Sequence, residues 1–344
     1  MTLDIRPMDP RTAPARLLAD YHLMRAAVVA EDFPEDPPLT YESAVGRLRT
    51  PPVEDGTCHY WTCHLDGRLA GSARVALPED SNSGIANIDV YVHPELRRRG
   101  IGTALLFPAT AAVLEAGRGT ILGVPMKPDS PGARWAHRLG FVVTRSTVMQ
   151  VLIVAEAPRR LWDVRVPAGY RLTCWTGATP EPHVDSYAMA RQAIHDAPLG
   201  ATSYRETVWT PTLIRTTDRD LLDAGVEQRV VIAVEDGTDR IVGVHVLHNY
   251  PHRREFGYIH DTSVLVSHRG HGLGRAMKGA MMRWLADERP DLERVLTTTA
   301  TANTFMIDIN HSLGYHTART MDWVETTTAQ LTTQLTSSPR GAGG

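Results

Sequence analysis

The feature that most constrains this chain is an internal repeat whose copies lie 172 residues apart. Residues 97–102 read Arg-Arg-Arg-Gly-Ile-Gly, and residues 269–274 read Arg-Gly-His-Gly-Leu-Gly. Farther along the chain, Leu-Gly-Phe at 139–141 is matched by Leu-Gly-Tyr at 313–315. Solenoid units repeat roughly every 20–50 residues, so a period this long indicates that a whole domain was duplicated.

We therefore predict two domains in the 344 residues, an N-terminal domain at 1–158 and a C-terminal domain at 159–344. Each half is long enough to bury a core of its own, because domains commonly have about 100–150 residues. We place the linker at 157–168. The tail after Thr328 is rich in Thr, Ser and Gly, and we expect it to be flexible.

Both halves show the same order of predicted elements, which indicates an α/β fold. In each half a β-hairpin is followed by a strand, the glycine-containing loop, a helix, a further strand and a short helix. The first hairpin turns at Asp66-Gly67, a dipeptide typical of two-residue turns. The last predicted strands of the two halves are at 142–154 and 317–325.

Charge and hydropathy exclude several functional classes. The formal net charge is −3, from 36 basic and 39 acidic residues, so the chain lacks the basic excess of a nucleic-acid-binding protein. The first six residues do not resemble a signal peptide, and no apolar run approaches 18 residues. We expect a cytoplasmic protein without a membrane partner, as a monomer or homodimer. We expect no metal site, because His245 and His248 should face opposite sides of a strand.

The two glycine loops carry the clearest functional signal. Each loop follows a predicted strand and begins a helix, where unpaired backbone amides and the helix dipole attract phosphate. Glycine allows close approach of the backbone to phosphate oxygens, and Arg97 and Arg269 are placed to add positive charge. An ordinary tight turn is the alternative interpretation, which the second copy disfavours. The predicted phosphate-binding residues are Arg97, Arg98, Arg99, Gly100, Ile101, Gly102 and Thr103, with Arg269, Gly270, His271, Gly272, Leu273, Gly274 and Arg275.

Two other phosphate-binding folds do not match these loops. A Rossmann fold needs a third glycine, and Leu105 and Met277 occupy that position in the two copies. Its loop also follows the first strand, whereas here a hairpin and a further strand come before it. A Walker A loop is excluded because no Gly-Lys-Ser/Thr is present in either loop.

Arg-x-x-Gly-x-Gly after a strand, followed by Leu-Gly-Phe or Leu-Gly-Tyr, resembles the GNAT acetyltransferase superfamily in both halves. The second half is similar to bacterial tandem GNAT proteins, including actinobacterial ones from antibiotic-biosynthesis clusters such as that for clavulanic acid. The resemblance implies two domains, each with a mixed sheet whose parallel strands 4 and 5 splay apart between flanking helices.

The resemblance also implies acetyl-coenzyme A as acyl donor, with up to one molecule per domain. Its pyrophosphate would bind the glycine loop, and its pantetheine arm would lie beside the strand before the loop. That strand contributes backbone groups of Val90, Tyr91 and Val92 in the first half, and of Val264, Leu265 and Val266 in the second. Asn303 and Asn310 are further candidates for contacts to the cofactor in the second half.

Candidate catalytic residues are fewer. Transfer to an amine needs a base, and His260 and Asp261 lie on the strand before the second loop. Asp261 has a second interpretation as a structural carboxylate, because Asp89 is its counterpart. The tyrosine that many family members use as an acid is replaced by Ala136 and Asn310.

The leading prediction is an N-acetyltransferase that acts on a small-molecule amine. The C-terminal domain is predicted to be catalytic, and the N-terminal domain to bind cofactor or to be structural. Two alternatives stay open, a catalytically silent acyl-CoA-binding protein and an enzyme similar to mycothiol synthase.

Overall fold

The computed structural model describes residues 2–196 and 198–337, which form two compact units of mixed α/β structure. The units interleave along the chain. The first comprises Met1–Ser146, Gly200–Arg205 and residues from Met321 onward, and the second comprises Thr147–Leu199 and Glu206–Thr320.

The first unit begins with a strand and two helices, followed by the predicted hairpin. Asp66 and Gly67 form its turn with positive φ values of 51° and 78°, as a two-residue turn requires. Strands β1 to β4 pair antiparallel in sequence order, and β4 pairs with β5 in parallel. The elements in this stretch are β1 Leu3–Met8, α1 Ala15–Asp32, α2 Tyr41–Arg49, β2 Thr57–Leu65, β3 Arg68–Leu77, β4 Ile85–Val92, α3 Ile101–Glu115, β5 Thr120–Met126, α4 Pro131–Arg138 and β6 Val142–Ile153.

The second unit repeats this topology. Strands β7 to β10 pair antiparallel, and β10 pairs with β11 in parallel. The elements in this stretch of the chain are β7 Tyr170–Thr176, α5 Val184–Arg191, α6 Pro211–Asp223, β8 Glu227–Glu235, β9 Ile241–Asn249, β10 Phe256–Val264, α7 Leu273–Glu288, β11 Arg294–Ala300, α8 Thr304–Ser312, β12 His316–Thr327 and α9 Thr328–Ser337.

The sixth strand of each unit comes from the opposite half of the chain. Residues 322–327 of β12 pair antiparallel with β5 in the first unit, and residues 147–153 of β6 pair antiparallel with β11 in the second. The compact units therefore do not coincide with 1–158 and 159–344. The boundary at residue 158 stays a prediction about where the duplicated sequence divides. In the folded chain, each half contributes its last strand to the unit formed mainly by the other half.

Parts of the predicted linker and of the predicted flexible tail are ordered and contribute to the cores. Trp162, in the predicted linker, is 1% exposed in the core of the second unit, and its indole nitrogen donates to the Leu313 carbonyl at 3.1 Å. The tail prediction is also wrong for 328–337, because α9 packs Leu331 and Leu335 into the core of the first unit. The remainder of the tail lies outside the described residues.

The helices after the two glycine loops are held by equivalent core positions. Helix α3 buries Leu105, Ala109 and Val113, and α7 buries their counterparts, with no more than 1% of any of the six side chains exposed. The counterparts are Met277, Met281 and Leu285. Burial of one large apolar side chain stabilises a fold by roughly 1.5–3 kcal/mol, so these faces fix both loops against their sheets.

Candidate functional site

In the first unit, strands β4 and β5 separate on the loop side. Their pairing runs from Ile85 opposite Thr120 to Ile88 opposite Gly123, and β4 then continues to Val92 paired with β3 on its other edge. A cavity of about 640 Å³ opens there, between α1, the loop, α3 and α4. Nine predicted residues line it: Val90, Tyr91, Val92, Arg97, Arg98, Gly100, Ile101, Gly102 and Thr103.

The second unit shows the same separation of its parallel strands. Pairing of β10 with β11 ends at Tyr258 opposite Leu296, and β10 continues to Val264. Leu265 donates its amide to the Val242 carbonyl at 2.8 Å, and Val266 is exposed and begins a short turn. The two splayed strands that the family resemblance implies are therefore present in both units.

The two glycine loops adopt the same backbone conformation. Gly100 and Gly272 lie at the N-termini of α3 and α7 with φ of 78° and 82°, a region that favours glycine. Two residues earlier, Arg98 and Gly270 have φ of 66° and 80°. In the described part of the chain no side chain caps either helix, so the first amides remain available to an anion.

The first arginine of each loop is held by a carboxylate. Arg97 donates both terminal nitrogens to Asp32 at 2.8 and 2.7 Å, and its Nε to the Val92 carbonyl. Arg269 donates to Asp196 at 2.6 Å and to the Val264 carbonyl at 2.9 Å. These arginines clamp the loop to the strand before it, which differs from the expectation that they add free charge at the phosphate.

The other loop residues divide into anchors and exposed groups. Ile101 and Leu273 are 1% exposed and anchor the first turns of α3 and α7. A Cβ at Gly102 would meet the Trp135 ring at 3.3 Å, whereas one at Gly274 would meet open space. The loop residues that face solvent are Arg98, Arg99, His271 and Arg275.

Asp261 is engaged in a buried ion pair. Arg191 donates both Nε and Nη2 to Asp261 Oδ2, the first at 3.1 Å, and its own side chain is 5% exposed. Burial favours the neutral acid, but the Arg191 guanidinium outweighs it and holds the pKa of Asp261 below its usual value. The counterpart Asp89 likewise accepts a hydrogen bond from Arg74 at 2.8 Å. This geometry favours the structural interpretation of Asp261.

His260 is exposed beside a register shift in β10, between Ile259 and Thr262. Its ring centroid lies 4.0 Å from that of His248. Burial and the neighbouring His260 lower the pKa of His248 well below its usual value, so His248 stays neutral. His260 is thus the more accessible of the two predicted bases.

Both predicted asparagines have partners within the protein. Asn303 caps α8, accepting from the Met306 amide at 3.2 Å. Asn310 is fully buried, and its Nδ2 donates to Gln150 Oε1 of β6 at 2.7 Å. Neither contact requires a cofactor, but Asn310 Oδ1 is buried without a hydrogen-bond partner among the described residues.

Several residues around the 640 Å³ cavity of the first unit were not predicted from the sequence. Arg25, Asp32 and Phe33 from α1 and its end line it, as do Lys127 after β5 and Trp135 of α4. The first helix showed only an apolar spacing, which does not reveal polar groups that a ligand would meet. One sequence feature pointed toward Trp135: the loop motif has glycine at position 102, where the Trp135 ring packs.

Lys278 of α7 is a buried cation in the second unit. Its side chain is 1% exposed, with Nζ 5.8 Å from the Tyr315 ring centroid. Burial lowers the pKa of the Lys278 ammonium to about 7. The same burial, together with Lys278, lowers the pKa of His245 well below its usual value.

Within the described residues, no three His, Cys, Asp or Glu side chains come together as a metal site. In the same residues no helix combines the length and the apolar character needed to cross a membrane.

Comparisons with known proteins agree with this geometry. The model of the acetyltransferase (GNAT) family matches residues 24–141 and again 195–315. Mycothiol acetyltransferase of Salinispora tropica is 26% identical over 287 residues, which cover 80% of this chain and 82% of that protein. The protein of the same name from Salinispora arenicola is 27% identical over 292 residues, with the same coverage.

Solved structures share the arrangement of both halves. A tandem GNAT protein from the clavulanic acid biosynthesis pathway matches with a TM-score of 0.76 and 24% identity, over 95% of this chain and 99% of that one. A GCN5-related N-acetyltransferase from Sphaerobacter thermophilus matches with a TM-score of 0.69 and 17% identity, over 95% and 96%. At these identities the similarity concerns the fold.

Proposed function

This chain belongs to the acetyltransferase (GNAT) family, and we propose that it transfers an acetyl group from acetyl-coenzyme A to the amine of a small molecule. The observation that carries the proposal is the cavity of about 640 Å³ between the splayed strands β4 and β5. Beyond Ile88, the β5-facing edge of β4 pairs with no strand in the described part of the chain, so its backbone groups can pair with an extended ligand.

The residues of the first unit fit such a ligand. The uncapped amides at the start of α3 suit a pyrophosphate, and Gly100 lacks the Cβ that would project at this approach. When bound, acetyl-coenzyme A supplies the activated acyl group. The chain positions it through the backbone of Val90–Val92 and through the loop that Arg97 and Asp32 hold in place.

The division of labour between the units has two candidates. The sequence predicts catalysis in the C-terminal half, with His260 as the more accessible base. The cavity, in contrast, supports cofactor binding in the N-terminal unit, and the partners of Asn303 and Asn310 remove part of the asymmetry behind the sequence prediction. We propose that the first unit binds acetyl-coenzyme A in this cavity and transfers the acetyl group there. Transfer in the second unit, with its own molecule of cofactor and His260 as the base, is the second candidate.

Replacement of His260 tests this role. If His260 accepts the proton of the amine, His260→Ala lowers turnover at least tenfold while thermal stability stays near wild type, because the side chain is exposed. Asp261→Asn should instead lower the unfolding temperature, since it leaves Arg191 buried without its charge partner. Unchanged turnover in folded His260→Ala would remove His260 from the mechanism.

Two further functions have specific support. The name of the two Salinispora relatives, mycothiol acetyltransferase, favours a related acceptor, although neither Ala136 nor Asn310 supplies the usual tyrosine. The missing tyrosine also favours a silent acyl-CoA-binding protein. Calorimetric titration with acetyl-coenzyme A and a thiol-release assay with a panel of amines separate these functions. Amine-dependent release supports the enzyme, and binding without release supports the silent protein.

A further inference from the structure

A second, smaller cavity of about 70 Å³ lies beside β4 in the first unit, and residues of α1, α2 and strands β1 to β4 line it. Arg25 and Tyr91 line both this cavity and the larger one, so the two adjoin. A group bound in the smaller cavity would therefore lie next to a ligand in the larger cavity. The charged residues of its lining are Arg25, Arg47, Arg74 and Asp89, and Tyr21, Tyr60, Ser72 and Tyr91 are its other polar residues.

The charges of this lining are not balanced. Arg74 forms ion pairs with two carboxylates. Its Nε donates to Asp89 at 2.8 Å, and its Nη1 donates to Asp55. Arg25 and Arg47 have no carboxylate within ion-pair distance in the described part of the chain. Three arginines against two aspartates leave one positive charge for a ligand to neutralise.

The Arg25 guanidinium is held in place by a stacked ring, but one of its nitrogens lacks a hydrogen-bond acceptor among the described residues. Its Cζ lies 3.3 Å from the centroid of the Tyr91 ring, a stacked arrangement that fixes its plane. Its Nη1 is buried and has no hydrogen-bond partner among the described atoms. Buried donors without an acceptor are uncommon in folded proteins, and this one borders an open cavity.

In the second unit, the arginine at the equivalent helix position, Arg191, is paired with a carboxylate. Tyr187 and Arg191 have the four-residue spacing of Tyr21 and Arg25. Arg191 stacks on Trp209, with its Cζ 3.4 Å from the ring centroid, but it is also paired with Asp261. The repeat places Val246 where the first unit has Arg74.

The difference between the two copies has a simple consequence. In the first unit Asp89 is paired with Arg74 and not with Arg25. In the second unit the equivalent carboxylate, Asp261, is paired with Arg191, the counterpart of Arg25. The first unit therefore has an arginine, Arg25, that lines a cavity where the second unit has an arginine in an internal ion pair.

We infer that Arg25, assisted by Arg47, binds the carboxylate of an amine acceptor in the smaller cavity, an inference that rests on the proposed acyl transfer. A planar carboxylate accepts two parallel hydrogen bonds from a guanidinium. The single excess charge matches a monoanion, and Asp89 in the lining disfavours a dianion such as phosphate.

Binding of simple anions to the full chain tests the subsite directly. Propionate, propionamide and inorganic phosphate are titrated at constant ionic strength and followed by thermal shift and calorimetry. We expect propionate to bind in preference to propionamide and phosphate. Arg25→Gln should weaken propionate binding at least tenfold, which corresponds to about 1.4 kcal/mol. Arg16→Gln, an exposed position of the same helix, should leave propionate binding unchanged.

Two further variants keep the test decisive if Arg25→Gln is unstable. Arg25→Lys retains the charge but loses the paired donors, and should weaken propionate binding severalfold. Arg47→Gln changes an exposed side chain and should also weaken it. Equal binding of propionate and propionamide, tighter binding of phosphate, or propionate binding that these variants leave unchanged would overturn the subsite.

A kinetic experiment asks whether the carboxylate belongs to the acceptor. Thiol release is measured with amino acids and with their amides as the amine. A lower KM for the acid form, lost in Arg25→Gln without a matching change in kcat, supports the inference, and equal KM values contradict it. If no amine gives thiol release while Arg25-dependent propionate binding persists, the proposed acyl transfer fails and the anion site alone stands.

Discussion

At the scale of single residues, Gly100 and Gly272 are required by the backbone before any ligand binds. Their left-handed conformation costs an L-residue roughly 1–2 kcal/mol, although a Cβ at either position would meet no atom within 4 Å. Substitution there therefore separates backbone strain from the effect of charge, because alanine introduces strain alone and glutamate introduces both.

Gly100→Glu is expected to weaken acetyl-coenzyme A binding to the first unit at least tenfold, since its carboxylate would face the pyrophosphate. Gly100→Ala should retain most binding and lose about 1 kcal/mol of stability. Calorimetric titration measures both, with Gly272→Glu and Gly272→Ala as the matched pair for the second unit. Equal binding by the glutamate and alanine variants would contradict phosphate binding at that loop.

Lys278 connects stability to pH. Its pKa of about 7 in the folded chain lies below the value near 10.4 of an unfolded lysine, so the folded state binds fewer protons between these values. Stability from this group therefore rises with pH from about 7 to 10, by up to about 1.4 kcal/mol per pH unit, and its cost is fully present below pH 7.

Lys278→Met should remove this dependence and raise the free energy of unfolding at neutral pH by a few kcal/mol, on the order set by that shift. Denaturant unfolding at pH 7, 8 and 9 measures the slope. Arg275→Met, on the exposed side of the same helix, is the control and should leave the slope unchanged. An identical slope in Lys278→Met would show that the ammonium is not desolvated in solution.

At the scale of elements, composition was a poor guide to the last helix. The sequence after Thr328 is rich in Thr and Ser, yet the described part forms α9. Thr328 donates its amide to the Gly119 carbonyl at 3.0 Å and its hydroxyl to the Arg118 carbonyl at 2.7 Å. These tertiary contacts and two buried leucines stabilise a helix that its polar residues alone would not.

Leu331→Ala is therefore expected to destabilise the protein by about 2–5 kcal/mol, because the side chain is fully buried in the core of the first unit. Thermal or denaturant unfolding measures the change. Thr333→Ala, on the exposed face of the same helix, should change stability by no more than about 0.5 kcal/mol. A flexible tail would instead make the two substitutions equally neutral.

At the scale of the whole molecule, the exchanged strands make the two halves dependent on each other. Residues 1–158 lack the β12 segment that pairs with β5, and residues 159–344 lack the β6 segment that pairs with β11. Each half expressed alone would leave β5 or β11 as a sheet edge with unpaired backbone groups.

We expect each half alone to aggregate or to unfold without a cooperative transition, and the coexpressed halves to form a stable complex. Size-exclusion chromatography and thermal unfolding monitored by circular dichroism measure both outcomes. A monomeric 1–158 that unfolds cooperatively would show that its own closing strand can replace β12.

The sequence by itself determined the features that depend on local chemistry. The repeat showed the duplication, Gly100 and Gly272 take the left-handed conformation at the start of both helices, and Asp66-Gly67 marked the hairpin turn. Leu105, Ala109 and Val113 have the four-residue spacing of one helix face, and α3 buries all three side chains. These rules act within a few residues, so a short stretch of sequence contains all the information that they need.

Tertiary structure alone decided which distant groups meet. Both closing strands carry a similar pattern, and either satisfies an open sheet edge, so the sequence could not show that β6 pairs with β11 and β12 with β5. The same holds for charge. Arg25 and Arg191 occupy equivalent helix positions, and only the neighbouring strands decide that one is paired with an aspartate while the other faces a cavity.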